Sequence, residues 1–393
     1  MVSEGHILIQ PSRIGNGRCG RIKTMKINGI PTRSLWPLDD QRVVKIIDQT
    51  ALPHHFRTLA LSSLDECADA IRSMKVRGAP LIGATAAYGI ALAMTQSSDD
   101  TALAAAVERL AATRPTAINL DWALRRMEAH LLALPTPERA EAAWLEATAI
   151  AEEDVAQNRA IGQHGLALFG QILQVRHQAQ SSDHKPLQIM THCNAGWLAT
   201  VDHGTALSPI YAAFDAGIDV HVWVSETRPR NQGLLTAWEL KQHGVPYTVI
   251  ADNAAGLLLM RGEVDAVIVG ADRIARNGDV ANKVGTTLKA LAAKATDVPF
   301  YVAAPRSTLD FASASGNAIP IEEREGDELR LVTGLDPGGQ PASLRQLPAE
   351  EAVANPAFDV TPAALITALI TERGTCPASA AGLAALYPEE THG

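Results

Sequence analysis

The sequence predicts an α/β protein: a mainly helical N-terminal domain with a small β element, followed by a Rossmann-like, doubly wound parallel sheet. Three observations carry this expectation. At 393 residues the chain exceeds the usual single domain, so two domains are the default. Up to about residue 155 the pattern is one of Ala/Leu-rich segments of helical length. From about residue 185 short continuous apolar runs alternate with helical-length segments, the pattern of strands buried on both faces and joined by helices. The expected division is an N-terminal extension over 1–24, a helical domain over 25–155 and the sheet domain over 156–393.

Residues 24–28 and 42–47 look like short strands. Ser63-Leu64-Asp65-Glu66 reads as a capping box, in which the Ser63 hydroxyl accepts an orphan N–H and Glu66 reaches back, opening a helix to about Met74. Further helices are expected over 81–95, 101–112, 119–133 and 138–170. Strands are expected over 187–191, 220–224, 247–250, 266–269 and 300–303, with helices over 205–216, 230–243, 254–262 and 283–295. The Pro/Gly-rich stretch 334–348 reads as a surface loop before a last helix at 361–373. The uncharged stretch 78–98 is long enough to span a bilayer, but its Ala, Gly and Thr content and Pro80 make it a buried helix instead.

Composition bounds the function. A net charge of −9 argues against a general nucleic-acid or anionic-membrane binder, while leaving room for a few cations around a phosphate. Cys19, Cys67, Cys193 and Cys376 lie far apart and form neither CxxC nor zinc spacing, so no metal site or disulfide framework is indicated and a reducing cytoplasm fits best. Arg13, Arg18, Arg21, Lys23 and Lys26 precede no apolar segment with a cleavage site, so they mark no secretory signal. Gly15-Asn16-Gly17-Arg18-Cys19-Gly20 matches GxGxxG, yet it leads toward a strand rather than a helix, so it is read as a decoy.

Ligands in doubly wound sheets bind outside the carboxyl ends of the strands. The first expected strand of the second half exits into Thr191-His192-Cys193-Asn194-Ala195-Gly196, which puts a thiol beside polar neighbours. A buried structural cysteine is the competing reading. The second exits into Ser225-Glu226-Thr227-Arg228-Pro229-Arg230-Asn231-Gln232-Gly233, a dense polar loop before a helix. The fourth exits into Gly270-Ala271-Asp272-Arg273-Ile274, where Asp272 is either a site carboxylate or the ion-pair partner of Arg273. Asn282 and Lys283, expected at the start of the next helix, would add donors to a positive helix end. Placement alone therefore points to an enzyme acting on a small phosphorylated substrate.

At these residues the sequence resembles the S-methyl-5-thioribose-1-phosphate isomerase family, part of a superfamily shared with regulatory subunits of a translation-initiation nucleotide-exchange factor. The resemblance rests on Val76-Arg77-Gly78-Ala79-Pro80, Arg114-Pro115-Thr116-Ala117-Ile118-Asn119-Leu120, the three strand exits, Ala281-Asn282-Lys283-Val284-Gly285-Thr286, and Asn355-Pro356-Ala357-Phe358-Asp359-Val360-Thr361-Pro362. It implies an aldose–ketose isomerase converting S-methyl-5-thio-α-D-ribose 1-phosphate to S-methyl-5-thio-D-ribulose 1-phosphate in methionine salvage. Cys193 and Asp272 match the catalytic residues, and Arg77, Gly78, Ala79, Arg114, Gln232, Asn282 and Lys283 match substrate-binding positions. A cytoplasmic homodimer without metal or organic cofactor is implied as well. The methylthio end needs an apolar wall, for which Trp197 is a candidate against its reading as a core residue. A ribose-1,5-bisphosphate isomerase, needing a second cationic cluster, and a non-catalytic translation-factor subunit, needing neither Cys193 nor Asp272, are the alternatives. The stretches 1–24 and 334–345 depart from the family pattern without touching a motif.

Overall fold

The computed structural model describes residues 24–38, 42–178 and 185–391, and the glycine motif at 15–20 lies outside them. Strands β1 (Lys26–Ile27) and β2 (Ile30–Pro31) pair antiparallel, and β3 (Leu35–Leu38), β4 (Val43–Ile47) and β5 (Thr58–Leu61) form a second antiparallel sheet. Helices α1 (Leu64–Arg72), α2 (Ala79–Met94), α3 (Asp100–Ala111), α4 (Ile118–Leu132) and α5 (Arg139–Gln178) follow. Ser63 caps α1 by accepting from the Glu66 N–H at 3.2 Å, while the Glu66 carboxylate takes the Ser62 N–H at 2.6 Å, one residue before the expected partner.

The uncharged stretch becomes α2, which α1, α3, α4 and α5 surround. With almost no face reaching water, it has no need of polar residues. Among the described residues no helix is long and apolar enough to cross a membrane. Helix α5 runs unbroken through residue 155: its first half joins the core around α2, and its second half packs on α6 (Leu207–Asp215).

The main sheet has seven strands in the order β18-β17-β12-β9-β6-β7-β8. They are β6 (Leu187–His192), β7 (Val220–Ser225), β8 (Tyr247–Ile250), β9 (Ala266–Val269), β12 (Phe300–Ala303), β17 (Ala368–Thr371) and β18 (Gly374–Cys376), all parallel except β18. Alternate residues face opposite cores. Ile189, Val222, Ala266 and Ile268 pack with α6 and α7 (Gly233–His243), whereas Met190, Val267 and Val269 pack with α8 (Ala254–Met260) and α9 (Thr286–Ala295). From β6 the chain moves outward to β7 and β8, then returns to β9 on the other side. The order therefore reverses between β6 and β9, the crevice where such sheets bind ligands.

A four-stranded sheet, β13-β10-β11-β16, sits beside this crevice, built from β10 (Arg273–Ala275), β11 (Val280–Lys283), β13 (Leu309–Asp310) and β16 (Phe358–Thr361). Three expectations are corrected here. Residues 361–373 hold no helix of the expected length: they complete β16, pass through a short turn and enter the main sheet as β17, because a brief apolar run fits a buried strand as well as a helix. The expected loop 334–348 is largely a hairpin of β14 (Leu331–Leu335) and β15 (Pro341–Arg345), closed where Asp336 Oδ1 accepts from Gln340 N at 2.8 Å. The helix expected from 283 begins at Thr286, so Asn282 and Lys283 end a strand. Helices α10 (Asp327–Arg330) and α11 (Ala380–Leu386) complete the fold.

Candidate active site

Cys193 leaves β6 with a left-handed backbone, φ 66°. Its N–H donates to Thr227 Oγ1 at 2.9 Å. Thr227, just past β7, is itself left-handed at φ 68°, a conformation that is costly for a β-branched residue and persists only when its surroundings over-determine it. Asp252 supplies that constraint by accepting from Thr227 N and Arg228 N, each at 2.8 Å, and from the Ser225 hydroxyl. Burial and the nearby Lys289 ammonium lower the His192 pKa, so the imidazole behind this loop is neutral. The strained turn thereby fixes the backbone that carries the thiol.

On the other side of Cys193, a buried carboxylate organises the chain. Glu239 of α7 accepts from Asn194 Nδ2 at 2.9 Å, Leu198 N at 2.8 Å, Trp197 N at 2.9 Å and Tyr211 Oη at 3.0 Å. Burial pushes its pKa up to about 7 against these donors. Asn194, so oriented, accepts both guanidinium arms of Arg77: Nη1 at its side-chain oxygen and Nη2 at its carbonyl, 2.6 Å. Trp197 is 1% exposed and lies in the core, which settles the methylthio candidate in favour of the core reading.

Asp272 follows β9 and donates its N–H to Ala281 O at 3.0 Å. Arg273 turns away, to Asp310 at 3.1 Å and Thr116 O at 2.6 Å, so it is not the partner of Asp272. Burial raises the Asp272 pKa, opposed by Lys283, Arg114 and Arg77. Burial likewise raises the Cys193 thiol, opposed by Arg77 and Lys283, while Asp272 pushes it further up. The two groups thus share one set of cations.

These side chains line a pocket between the helical region and the two sheets. Arg77, Gly78, Ala79, Arg114, Cys193, Gln232, Asp272 and Lys283 all reach it. Asn282 does not: 5% exposed, it turns its amide to Thr286 Oγ1 at 3.0 Å. The expected anion site at the start of α9 is also absent, because the Asp359 carboxylate takes Gly285 N at 2.7 Å and Thr287 N at 3.2 Å. The pocket instead receives the N-terminal ends of α2, α4 and α7, through Gly78-Ala79, Ala117 and Gln232. Positive helix ends favour an anion there.

Two glycines permit this convergence. Gly78 has φ 95° and lies so close to Ala199 that an added Cβ would sit 2.4 Å from its Cα, and at Gly233 a Cβ would meet Ser225 O at 2.0 Å. Lys283 holds its ammonium 5.4 Å from the Phe358 ring centroid, and burial lowers its pKa. Sequence reasoning missed Arg324, which also lines the pocket, and the apolar wall of Met74, Ile82, Ile319, Pro320 and Phe358. Neither carries a motif; only Phe358 falls within a stretch that signalled anything. Among the described residues no group of His, Cys, Asp and Glu could hold a metal ion.

Residues 75–378 match the profile of the Initiation factor 2 subunit family. Methylthioribose-1-phosphate isomerase from Dechloromonas aromatica is 67% identical over 369 residues, covering 94% of this chain and 100% of that protein. The chain belongs to the methylthioribose-1-phosphate isomerase family. Among solved structures, 5-methylthioribose 1-phosphate isomerase from Pyrococcus horikoshii is 38% identical with a TM-score of 0.78, covering 95% of this chain and 99% of that one. A structure described as the delta subunit of the translation initiation factor eIF-2B from A. fulgidus is 39% identical with a TM-score of 0.74, covering 91% and 99%. The isomerase family thus shares its fold with proteins titled as translation factors, and the pocket rather than the fold must carry the functional argument.

Proposed function

We propose that the chain is an aldose–ketose isomerase converting S-methyl-5-thio-α-D-ribose 1-phosphate to S-methyl-5-thio-D-ribulose 1-phosphate, the methionine-salvage reaction. The observation that carries this reading is the pairing of Cys193 and Asp272 across the strand-order reversal, in one pocket with Arg77, Arg114 and Lys283. A non-catalytic subunit has no chemical need for that combination. The apolar wall of Met74, Ile319, Pro320 and Phe358 suits a methylthio group.

In the substrate the anomeric oxygen is esterified, so the ring must open with phosphate attached. Arg77, Arg114 and Lys283, with the helix ends, hold the phosphate by charge-assisted hydrogen bonds. Asp272, whose raised pKa favours the acid form, gives its proton to the ring oxygen as the bond from C1 to that oxygen breaks. Hydrogen passes from C2 to C1, and the Asp272 carboxylate takes the O2 proton as the C2 carbonyl forms, which restores the acid. Because burial keeps Cys193 a thiol, we favour a hydride shift, with Cys193 polarising the site. Product formed in D2O should then carry no deuterium at C1; deuterium there would establish proton transfer through a base.

Replacing Arg114 by Ala removes one phosphate-binding cation. KM should rise by roughly 10- to 100-fold, with a smaller change in kcat, as expected for loss of one hydrogen-bonded charge. An unchanged KM would remove Arg114 from the phosphate site.

The reading includes a cytoplasmic homodimer. Its support is the free thiols of Cys67, Cys193 and Cys376, and an exposed apolar face where α8 packs on α9. That face presents Leu257, Met260, Leu288 and Leu291, of which Met260 is 78% exposed. Met260→Glu with Leu288→Glu should sediment as a monomer; an unchanged dimer would place the interface elsewhere.

A further inference from the structure

The pocket holds more cations than one phosphate needs. Arg324 also lines it, and so does Met74, part of the apolar wall assigned above to the methylthio group. Its Nη2 contacts Met74 Sδ at 3.6 Å. A free guanidinium against that wall would hold a second phosphate on the sugar.

Most of its donors are already taken. Nε bonds both oxygens of Glu328, at 2.9 and 3.0 Å, and Nη2 bonds Glu328 Oε1 at 2.6 Å. Nη1 bonds Glu322 Oε1 at 2.8 Å. Glu322 also reaches Arg114, at 3.2 Å, and Glu328 holds Arg230, at 2.9 Å. These groups are largely removed from water, with Arg324 and Glu328 each 15% exposed and Glu322 23%. Although burial opposes it, Arg324 and Arg230 hold the Glu328 carboxyl down to about 2, so it stays ionised. A second phosphate would have to displace two carboxylates and face their charge at short range.

Resting on the isomerase reading, we propose that Glu328 and Glu322 are specificity-determining residues: by engaging Arg324 where it meets Met74 on the pocket wall, they reject sugars bearing a second phosphate. The same guanidinium, released from them, accepts such a phosphate. Selectivity for a monophosphate with an apolar tail therefore arises from carboxylates that do not themselves line the pocket.

The test is calorimetric titration of the full chain and its Glu328→Gln variant with ribose 1,5-bisphosphate and with methylthioribose 1-phosphate. Glu328→Gln should tighten bisphosphate binding by at least about 10-fold, the scale of one charge-assisted bond, and change monophosphate binding by less than about 3-fold. Adding Arg324→Met should abolish the gain. An unchanged bisphosphate affinity, an equal gain for both ligands, or a gain that survives Arg324→Met overturns the proposal. Should Glu328→Gln fail to fold, Glu328→Ala removes the same carboxylate and is judged by the same criteria. Because titration needs no turnover, an inactive wild type would sink the isomerase reading separately.

Discussion

Cys193→Ser should fold and assemble normally and lose nearly all turnover. The volume barely changes, and the N–H to Thr227 that holds the backbone is a main-chain bond the substitution keeps. What is lost is the polarisable sulfur, which a smaller hydroxyl does not replace. A merely structural cysteine would give the opposite result, modest destabilisation with turnover intact. Alkylation separates the two readings again. A thiol reagent should inactivate the native protein and substrate should protect it, because Cys193 lines the pocket while Cys67 and Cys376 are buried in cores. The alkylation rate at Cys193 should climb with pH through a midpoint above the ordinary thiol range, since burial raises this thiol and Arg77 and Lys283 only partly offset it. Mapping the label to another cysteine, or ordinary turnover by Cys193→Ser, would remove the assigned role.

Asp272→Asn should lower turnover by roughly 100-fold or more while substrate affinity changes little. Asn keeps the shape and can still bond a sugar oxygen, but it cannot give a proton and take it back. The pH profile supplies a second readout. With Asp272 working as an acid, kcat/KM of the wild type should fall as pH rises through the Asp272 pKa, and burial places that limb above the usual carboxyl range. The limb should vanish in the residual activity of Asp272→Asn. Near-normal turnover would reduce Asp272 to a structural residue, and Arg273 is not available as its partner.

The strands of the crevice were legible because each is a short apolar run ending in polar residues. β6, β7 and β9 deliver Cys193, the 225–233 loop and Asp272 to the place where the strand order reverses. Of the proposed phosphate cations, Lys283 was marked by its place after a strand exit, whereas Arg77 and Arg114 were legible only through resemblance: they sit at helix ends in the other half of the chain, and nothing local in the sequence marks them. Residues 361–373 misled because the apolar run 363–370 suits either a helix or a buried strand; Ala363–Leu365 make only a short turn, and Ala368–Ile370 pair with β12. Asn282 carried a family signal, yet the register of β11 against β16 leaves its amide on Thr286. The carboxylates on Arg324 could not be read at all, since the Arg114–Glu322 contact joins residues 208 positions apart and the others sit in a stretch without motif. Close-range charge balance is a property of the folded site.

The most direct test of the account follows the carbon skeleton. Purified protein is incubated with S-methyl-5-thio-α-D-ribose 1-phosphate, and C2 of the sugar is observed by NMR, with Cys193→Ser and Asp272→Asn run in parallel. The account predicts a ketone carbon at C2 with phosphate retained at C1 in the wild type, and almost none in either variant. A wild type that binds the sugar phosphate in the Cys193–Asp272 pocket but leaves C2 a secondary alcohol would contradict it.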